Sequence, residues 1–354
     1  MVQENTMIIK TGDELHQLVK NALLAAGADE SNAEDVAEHL ILANLSGVDT
    51  HGIWHLPRYV ESSKSGEIVA TAHPEILNET ATSAQVTGNW TFGQVAAKYA
   101  IEVAIAKAKE NDIAVVGLVQ ADHIGRLGHY VEMAAAERLI AMVWAGGYSE
   151  EEPATVPYGG RKTVLHTNPL AMGFPSGDAP RMMFDFATAA VSGVKVLNAQ
   201  RRGEPLPPNC IVDKDGNPST DANDFVNGGG HVPFGGHKGY ALMMATEFLG
   251  RIFTGADAFV DPKHGGPIMR HQGVTFIAFK ADLFQPFSDY ADRADEMGRR
   301  VRAIPPAPGF DEVLMPGDPE VRTRAIRQRD GIPIAEDIWQ SVTETATSLG
   351  VEVP

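Results

Sequence analysis

The chain has 354 residues, 44% apolar and 21% charged, which supplies a folded core and excludes disorder as the main state. Lys and Arg number 29 against 46 Asp and Glu, a formal net charge of −17. Such a surface repels nucleic acid and anionic membrane, so neither is expected as a partner. A single cysteine, Cys210, excludes a disulfide framework and an all-cysteine metal site and fits a reducing, cytoplasmic setting. The opening residues MVQENTMIIK are too polar for a secretory segment, and no apolar run approaches the ~18 residues that span a bilayer. At roughly 100–200 residues per domain, this length predicts about two domains.

In chain order, the first 60 residues read as helical. Thr11 and Glu14 form a T-x-x-E capping box ahead of an apolar stripe at Leu15, Leu18, Val19 and Ala22, with Gly27 as the stop. Ser31 and Glu34 predict a second box, and its stripe runs from Ala33 through Val36, Leu40 and Leu45 to Gly47. An Ala-rich helix is expected over 94–109, a buried strand over 113–119 (IAVVGLV), a helix over 128–138, and strands over 139–145, 163–166 and 182–186. The stretch 192–230, rich in Gly, Pro, Asn and Asp, reads as long loops. A buried helix is expected over 239–250, a strand over 274–280 and helix again from Pro319. The arginine runs at 299, 300 and 302 and at 322, 324, 327 and 329 read as solvated helix faces. The predicted division is a helical domain from 1–75 and 320–354 around an α/β domain at 76–319.

There is no G-x-G-x-x-G after a strand, no Walker A loop, no G-x-S-x-G elbow and no H-E-x-x-H. Chemistry must come from local constellations. VDTHGIWHLPRY (48–59) places His51, His55, Arg58 and Tyr59 after a helix end. A histidine there can deliver a proton near neutral pH, although spacing alone equally fits a loop histidine bonding a carbonyl. His51 and His55 are too few ligands for a metal, and none is expected. Asp122–His123 follows the 113–119 strand, where ligand sites of α/β proteins collect, and is equally a structural hydrogen-bonding pair. Asp185 lies inside the apolar strand FDFATAA (184–190), and a buried carboxylate needs a donor. PFGGHKGY (233–240) puts glycines, His237 and Lys238 at a helix start, suited to phosphate or to a plain turn.

Together these segments resemble the malate/L-lactate dehydrogenase family, which lacks a Rossmann fold. The markers are DTHG (49–52), DHIG (122–125), VPYGG (156–160), TNPLA (167–171), FDFATA (184–189), LPPNCIVDKDGNP (206–218), GGHKGYAL (235–242), MPGD (315–318) and GIP (331–333). Each is weak alone, but their order and spacing are specific, and the wording is similar to the bacterial hydroxycarboxylate dehydrogenase branch. The resemblance implies an α/β (α+β) non-Rossmann NAD(P)-binding fold. Its sheet is mixed and largely antiparallel, and a helical domain is formed by both chain termini. It also implies a homodimer that uses NAD or NADP. Carried over, His51 matches the proton donor, His123 a second acid/base histidine, and Asp185 the aspartate that charge-stabilises the donor. Arg181, Met182, Met183, Phe184, Asp185, Phe186 and Ala187 match a cofactor-binding strand. His237, Lys238, Gly317, Asp318 and Pro319 match further cofactor contacts.

Two departures stand out. His55 occupies a position where many members carry an arginine suited to a substrate carboxylate, leaving Arg58 and Tyr59 as the nearest substitutes. AGGYSEEE (145–152) replaces a T-N-S stretch, so that a serine contact shifts to Gly147, and the acidic insert Glu150–Glu152 disfavours a 2′-phosphate, favouring NAD. The expected reaction is hydride transfer between NAD(P) and a small 2-hydroxy or 2-oxo carboxylate such as malate, lactate or sulfolactate. The alternatives are reduction of a cyclic imine of the Δ1-piperideine-2-carboxylate type and nucleotide binding without catalysis.

Overall fold

The computed structural model describes residues 7–148, 151–178 and 181–354. β1 (Met7–Lys10) leads into α1 (Gly12–Ala25), whose capping box forms as expected: the Glu14 amide donates to Thr11 Oγ1 at 3.2 Å and the Thr11 amide to Glu14 Oε2 at 2.7 Å. α2 (Glu30–Leu45) starts earlier than the Ser31 box implied, because Asp29 is the cap. Its Oδ1 accepts the Asn32 amide at 2.9 Å and the Ser31 hydroxyl at 3.0 Å. Two 3-10 turns over 49–55 precede α3 (Leu56–Ser65).

β2 (Glu75–Glu79), β3 (Ser83–Thr87), α4 (Gly93–Asn111), β4 (Ile113–Val119), α5 (Leu127–Ala136), β5 (Leu139–Gly146), β6 (Leu170–Phe174) and β7 (Met182–Phe186) follow. The expected strand at 163–166 is absent; Leu165 makes only isolated bridges to Tyr148 and Thr155. The stretch read as loops holds α6 (Gly193–Arg202), β8 (Ile211–Val212), β9 (Pro218–Ser219), α7 (Ala222–Val226) and β10 (Gly230–His231). These short elements enclose their own core of Val196, Leu206, Cys210 and Ile211. They were hidden by turn-rich composition, although Ser192 and Asp221 cap their helices as such residues do. The chain ends with α8 (His237–Glu247), a π-helical continuation over 248–252, α9 (Gly266–Met269), β11 (Gly273–Lys280), α10 (Phe287–Arg302), α11 (Asp318–Asp330), β12 (Ile332–Ala335) and α12 (Glu336–Ser348).

The large sheet has seven strands in the order β2-β3-β4-β11-β5-β6-β7, and only the β3–β4 pair is parallel. It is therefore mixed and largely antiparallel, as the family resemblance implies. Helices α4 and α5 pack against its central strands, and α8 with its π-helical continuation packs against β5, which explains the continuous apolar runs of β4, β5 and β11. A second core joins Leu15, Val19, Leu40 and Tyr59 to Ile332, Ile334 and Val342, so both chain ends build it, and β1 pairs antiparallel with β12.

Three arginines expected on solvated faces are instead ion-paired across elements. Arg302 grips Asp318 through two 2.7 Å bonds, Arg324 reaches Glu132 at 3.1 Å and Arg327 reaches Asp49 at 2.6 Å. Long-range packing, invisible in a local charge pattern, supplies those carboxylates.

Candidate active site

The histidine turn between α2 and α3 is held by side chains from both chain ends. Asn44 Oδ1 accepts the Ile53 amide at 2.8 Å, and Asn44 Nδ2 donates to Asp49 Oδ1 at 2.7 Å. Arg327 grips both Asp49 oxygens, at 2.6 and 3.0 Å. Gly52 is required by this packing, since a Cβ there would lie 2.1 Å from Asn44 Oδ1. The turn presents His51 with Thr50 Oγ1 3.1 Å from its Nδ1, and it buries His55, whose Nε2–H donates to the Thr50 carbonyl at 2.9 Å.

The second contribution comes from the end of β4. Leu118 of β4 is opposite Val274 of β11, itself opposite Ala145 of β5; Trp144 of β5 is opposite Leu170, itself opposite Phe186 of β7. The segments after β4, β5 and β7 therefore emerge at one end of the sheet. They carry Asp122–His123, Gly147 and Ala187. Asp122 is buried; it accepts the His123 amide at 2.6 Å and meets one Arg58 nitrogen at 3.0 Å from each oxygen. The rest of the Arg58 guanidinium makes no further hydrogen bond among the described residues.

His51, His55 and His123 converge: the ring centroids of His51 and His123 are 5.6 Å apart, those of His55 and His123 4.6 Å, and those of His51 and His55 6.2 Å. Burial, aided by the nearby Arg126 charge, pushes His51 down to about 4. Burial, with the His51 and Arg58 charges, pushes His55 down to about 3, and burial pushes His123 well below the usual histidine range. The expected titration near neutrality is thus corrected: in the free pocket all three rings are neutral at pH 7.

Tyr59 does not line the pocket as a substrate contact. Its ring is fully buried, and its hydroxyl lies 2.7 Å from His123 Nδ1 and 2.6 Å from Gln94 Nε2. Asp185 is also placed differently from the sequence expectation. Its Oδ2 accepts the Gly128 amide at 2.7 Å at the start of α5, and no hydrogen bond joins it to His51 among the described residues. Burial pushes its carboxyl up to about 6 despite that amide and the facing Arg126. Asp185 stands on β7, the edge strand of the sheet, and its carboxylate is turned to the start of α5.

The segments expected to hold a cofactor do come together around β7. The Met183 amide bonds the Pro316 carbonyl at 3.2 Å, and a Cβ at Gly317 would sit 3.1 Å from the Arg181 carbonyl. At the other end the Phe234 amide bonds the Thr188 carbonyl at 2.9 Å, and Phe186 meets Phe234 edge-on at 5.5 Å. Met182, Phe184 and Ala187 lie along the same strand and its exit. Gly147 packs beside His166, 3.2 Å from a Cβ placed there, and Glu151 pairs with Arg270 at 3.2 Å; Glu150 lies outside the described residues. The Asp318 carboxylate is spent on Arg302 and the Met315 amide, and Pro319 stands in the first turn of α11. The α8 start fits a dinucleotide's phosphates. Gly235 and Gly236 have φ of +57° and +64°, Gly235 faces open space, and His237 and Lys238 are exposed beside free helix amides. A Cβ at Gly239 would fall 1.7 Å from the Phe234 carbonyl oxygen, so glycine is needed there.

Sequence reasoning missed Gln94, Asn44, Arg126 and Arg327. The one available signal was a glutamine in an otherwise Ala-rich apolar helix; the others act across long chain separations.

The sheet end thus carries a cluster of three histidines, and a glycine-rich helix start with free amides packs against the edge strand β7. The family model for malate/L-lactate dehydrogenase matches residues 11–343. A malate/(S)-sulfolactate dehydrogenase from Methanothermus fervidus is 35% identical, covering 98% of this chain and 99% of that protein. Hydroxycarboxylate dehydrogenase B from Escherichia coli is 33% identical, covering 95% and 93%. The solved structure of sulfolactate dehydrogenase from Methanocaldococcus jannaschii superposes with a TM-score of 0.88 at 33% identity, covering 98% of each chain. The chain belongs to the malate/L-lactate dehydrogenase family. It is a nicotinamide-dependent hydroxyacid dehydrogenase.

Proposed function

We propose that the protein interconverts a small 2-hydroxy carboxylate, of the malate, lactate or sulfolactate type, and its 2-oxo form. NAD is favoured over NADP by the acidic insert. The convergence of His51, His55 and His123, within 6.2 Å of one another, carries this reading. The nicotinamide, when bound, supplies or accepts the hydride. His51 handles the proton on the substrate oxygen. Its neutral ring takes the hydroxyl proton directly in oxidation; in reduction, the incoming carboxylate raises its pKa and loads the proton. His123 hydrogen-bonds the same oxygen. The unpaired edge of Arg58, with His55, receives the carboxylate in place of an arginine at position 55. Asp185 acts on this chemistry from a distance, by fastening α5.

Lys238, His237 and the first amides of α8 hold the cofactor phosphates. Arg181–Ala187, Gly317, Pro319 and Gly147 supply the backbone around it, with Asp318 fixing the 315–318 turn. The protein works as a cytoplasmic homodimer, with the helical ends 7–75 and 320–354 acting as one unit against the rest. Among the described residues no helix is long and apolar enough to cross a membrane.

The test is loss of nicotinamide absorbance with purified protein, NADH or NADPH, and a panel of pyruvate, oxaloacetate, 2-oxoglutarate, sulfopyruvate, hydroxypyruvate and Δ1-piperideine-2-carboxylate. Turnover of an oxo acid supports the reading. Turnover of the imine alone replaces it with imine reduction, and thermal protection by NADH without any turnover replaces it with nucleotide binding.

A further inference from the structure

Gln94 and Tyr59 are buried polar side chains, 1% and 0% exposed, that end in a hydrogen bond to a pocket histidine. Gln94 stands in the first turn of α4, and that turn abuts the histidine segment closely. A Cβ at Gly93 would lie 2.1 Å from the Asp122 carbonyl oxygen and 2.3 Å from that of His123. Glycine at 93 therefore brings Gln94 to the back of the His123 ring.

The direction of the two bonds follows from counting protons. Gln94 Nε2 lies 2.6 Å from Tyr59 Oη, and Gln94 Oε1 is buried without a partner among the described residues. Turning the amide over would pair that oxygen but leave both buried N–H donors without a partner among the described residues, instead of one. A buried unpaired donor is the rarer and costlier case, whereas an under-used carbonyl is tolerated. The amide therefore donates to the phenol oxygen. The single phenol proton is left for the other neighbour, His123 Nδ1, at 2.7 Å. Burial raises the phenol's pKa, so that proton stays on Tyr59. A ring that accepts at Nδ1 and is neutral carries its proton on Nε2. His51, His55, His39 and the Arg58–Asp122 pair surround this ring, and none of them hydrogen-bonds to it through a side chain.

We propose that Gln94 is a positioning residue that acts through Tyr59 to hold His123 as the Nε2–H tautomer. His123 is then a hydrogen-bond donor to the substrate oxygen, and proton transfer falls to His51. This assignment deepens the pocket reading given above and rests on it. It gives a physical reason for the different work of two histidines, both of which the resemblance matches to acid/base residues. A neutral Nε2–H stabilises charge developing on a carbonyl oxygen but cannot accept a hydroxyl proton.

The test is nitrogen NMR of the histidine rings in the full-length protein, with His123 assigned by its loss in His123→Gln. In the wild type, His123 should show a bare Nδ1 and a protonated Nε2. In Gln94→Glu, read above the pH at which its buried carboxyl ionises, the carboxylate accepts the phenol proton, the phenol oxygen then accepts from Nδ1–H, and the tautomer reverses. With the wrong tautomer, kcat should fall by roughly 10²-fold while the cofactor KM stays nearly unchanged. The deficit relative to wild type should shrink as pH falls, because the protonated carboxyl at position 94 again donates to Tyr59. A purely structural role for Gln94 would not produce that pH-dependent recovery. Should Gln94→Glu fail to fold, Tyr59→Phe removes the donor to Nδ1 and should shift both ring nitrogens of His123. A wild-type proton on Nδ1, an unchanged tautomer in Gln94→Glu, a deficit independent of pH, or unshifted nitrogens in Tyr59→Phe would each overturn the proposal. The ring tautomers can be read whether or not any hydroxy acid is turned over, so failure of the dehydrogenase reading is distinguishable from failure of this relay.

Discussion

Two groups of histidines lie near each other in this protein, one fully buried and one half-buried apart from His55, and they differ in what their nitrogens do. His39 and His129 form the first group. His39 Nε2 accepts the Arg126 amide at 2.9 Å, and its Nδ1 faces His129 Nδ1 at 3.0 Å, so both nitrogens of His39 are spent on the protein. In the second group His55 Nδ1 has no partner, and His123 Nε2 has none among the described residues. Burial lowers the pKa in both groups, to about 4 for His51 and for His129. Residue type and titration therefore do not separate His39 from the pocket rings; the pairing of both its nitrogens within the protein does.

The comparison is broken most directly by paired substitutions. His51→Ala should lower kcat by about 10²–10⁴ while leaving cofactor affinity nearly intact, measured by steady-state kinetics and NADH titration. Near-normal turnover would remove His51 from acid–base work. His39→Ala should do the opposite. It strands the Arg126 amide and opens a cavity, costing about 2–4 kcal/mol in denaturant unfolding, while the folded fraction keeps its kcat within a few-fold. A catalytic defect at unchanged stability would dissolve the distinction between the two groups.

Acid should weaken both groups together. His51, His55 and His129 are neutral in the folded protein and titrate near 6.5 when unfolded, so the unfolded chain binds more protons as pH falls. Their contribution is complete above about pH 6.5 and is lost progressively towards pH 4, by about 1.4 kcal/mol per pH unit for each ring. Unfolding midpoints that do not change between pH 7 and pH 5, in ~0.1 M salt, would mean that the rings are not held neutral. The smallest effect is expected outside both groups. Lys238→Ala should raise the cofactor KM about tenfold, worth about 1.4 kcal/mol, with kcat nearly unchanged. A loss in kcat instead would place Lys238 nearer the reacting atoms.

Local signals were legible where local rules act. The Thr11–Glu14 box, the stripe of α1, and the apolar runs of β4, β5 and β11 needed only periodicity and capping chemistry. The strand 182–186 was legible for the same reason. Short elements within a turn-rich stretch were not, because β8, β9 and β10 have two residues each and no period to read. The pocket was half legible. His51, His55 and His123 were visible as residues, but the roles of Tyr59 and Asp185 were not, since each depends on its neighbour.

By itself the sequence determined the helical ends, the buried strands, the family through the order of its markers, and the histidines with their glycine turns. These rest on spacing, capping and backbone freedom, all local properties of the chain. Only the tertiary structure decided that Arg327 clamps the histidine turn, that Asp185 fastens α5 and that Tyr59 stands behind His123. Those pairings join residues tens to hundreds of positions apart. Which polar group meets which is set by packing two cores against one sheet end, and no local pattern encodes it.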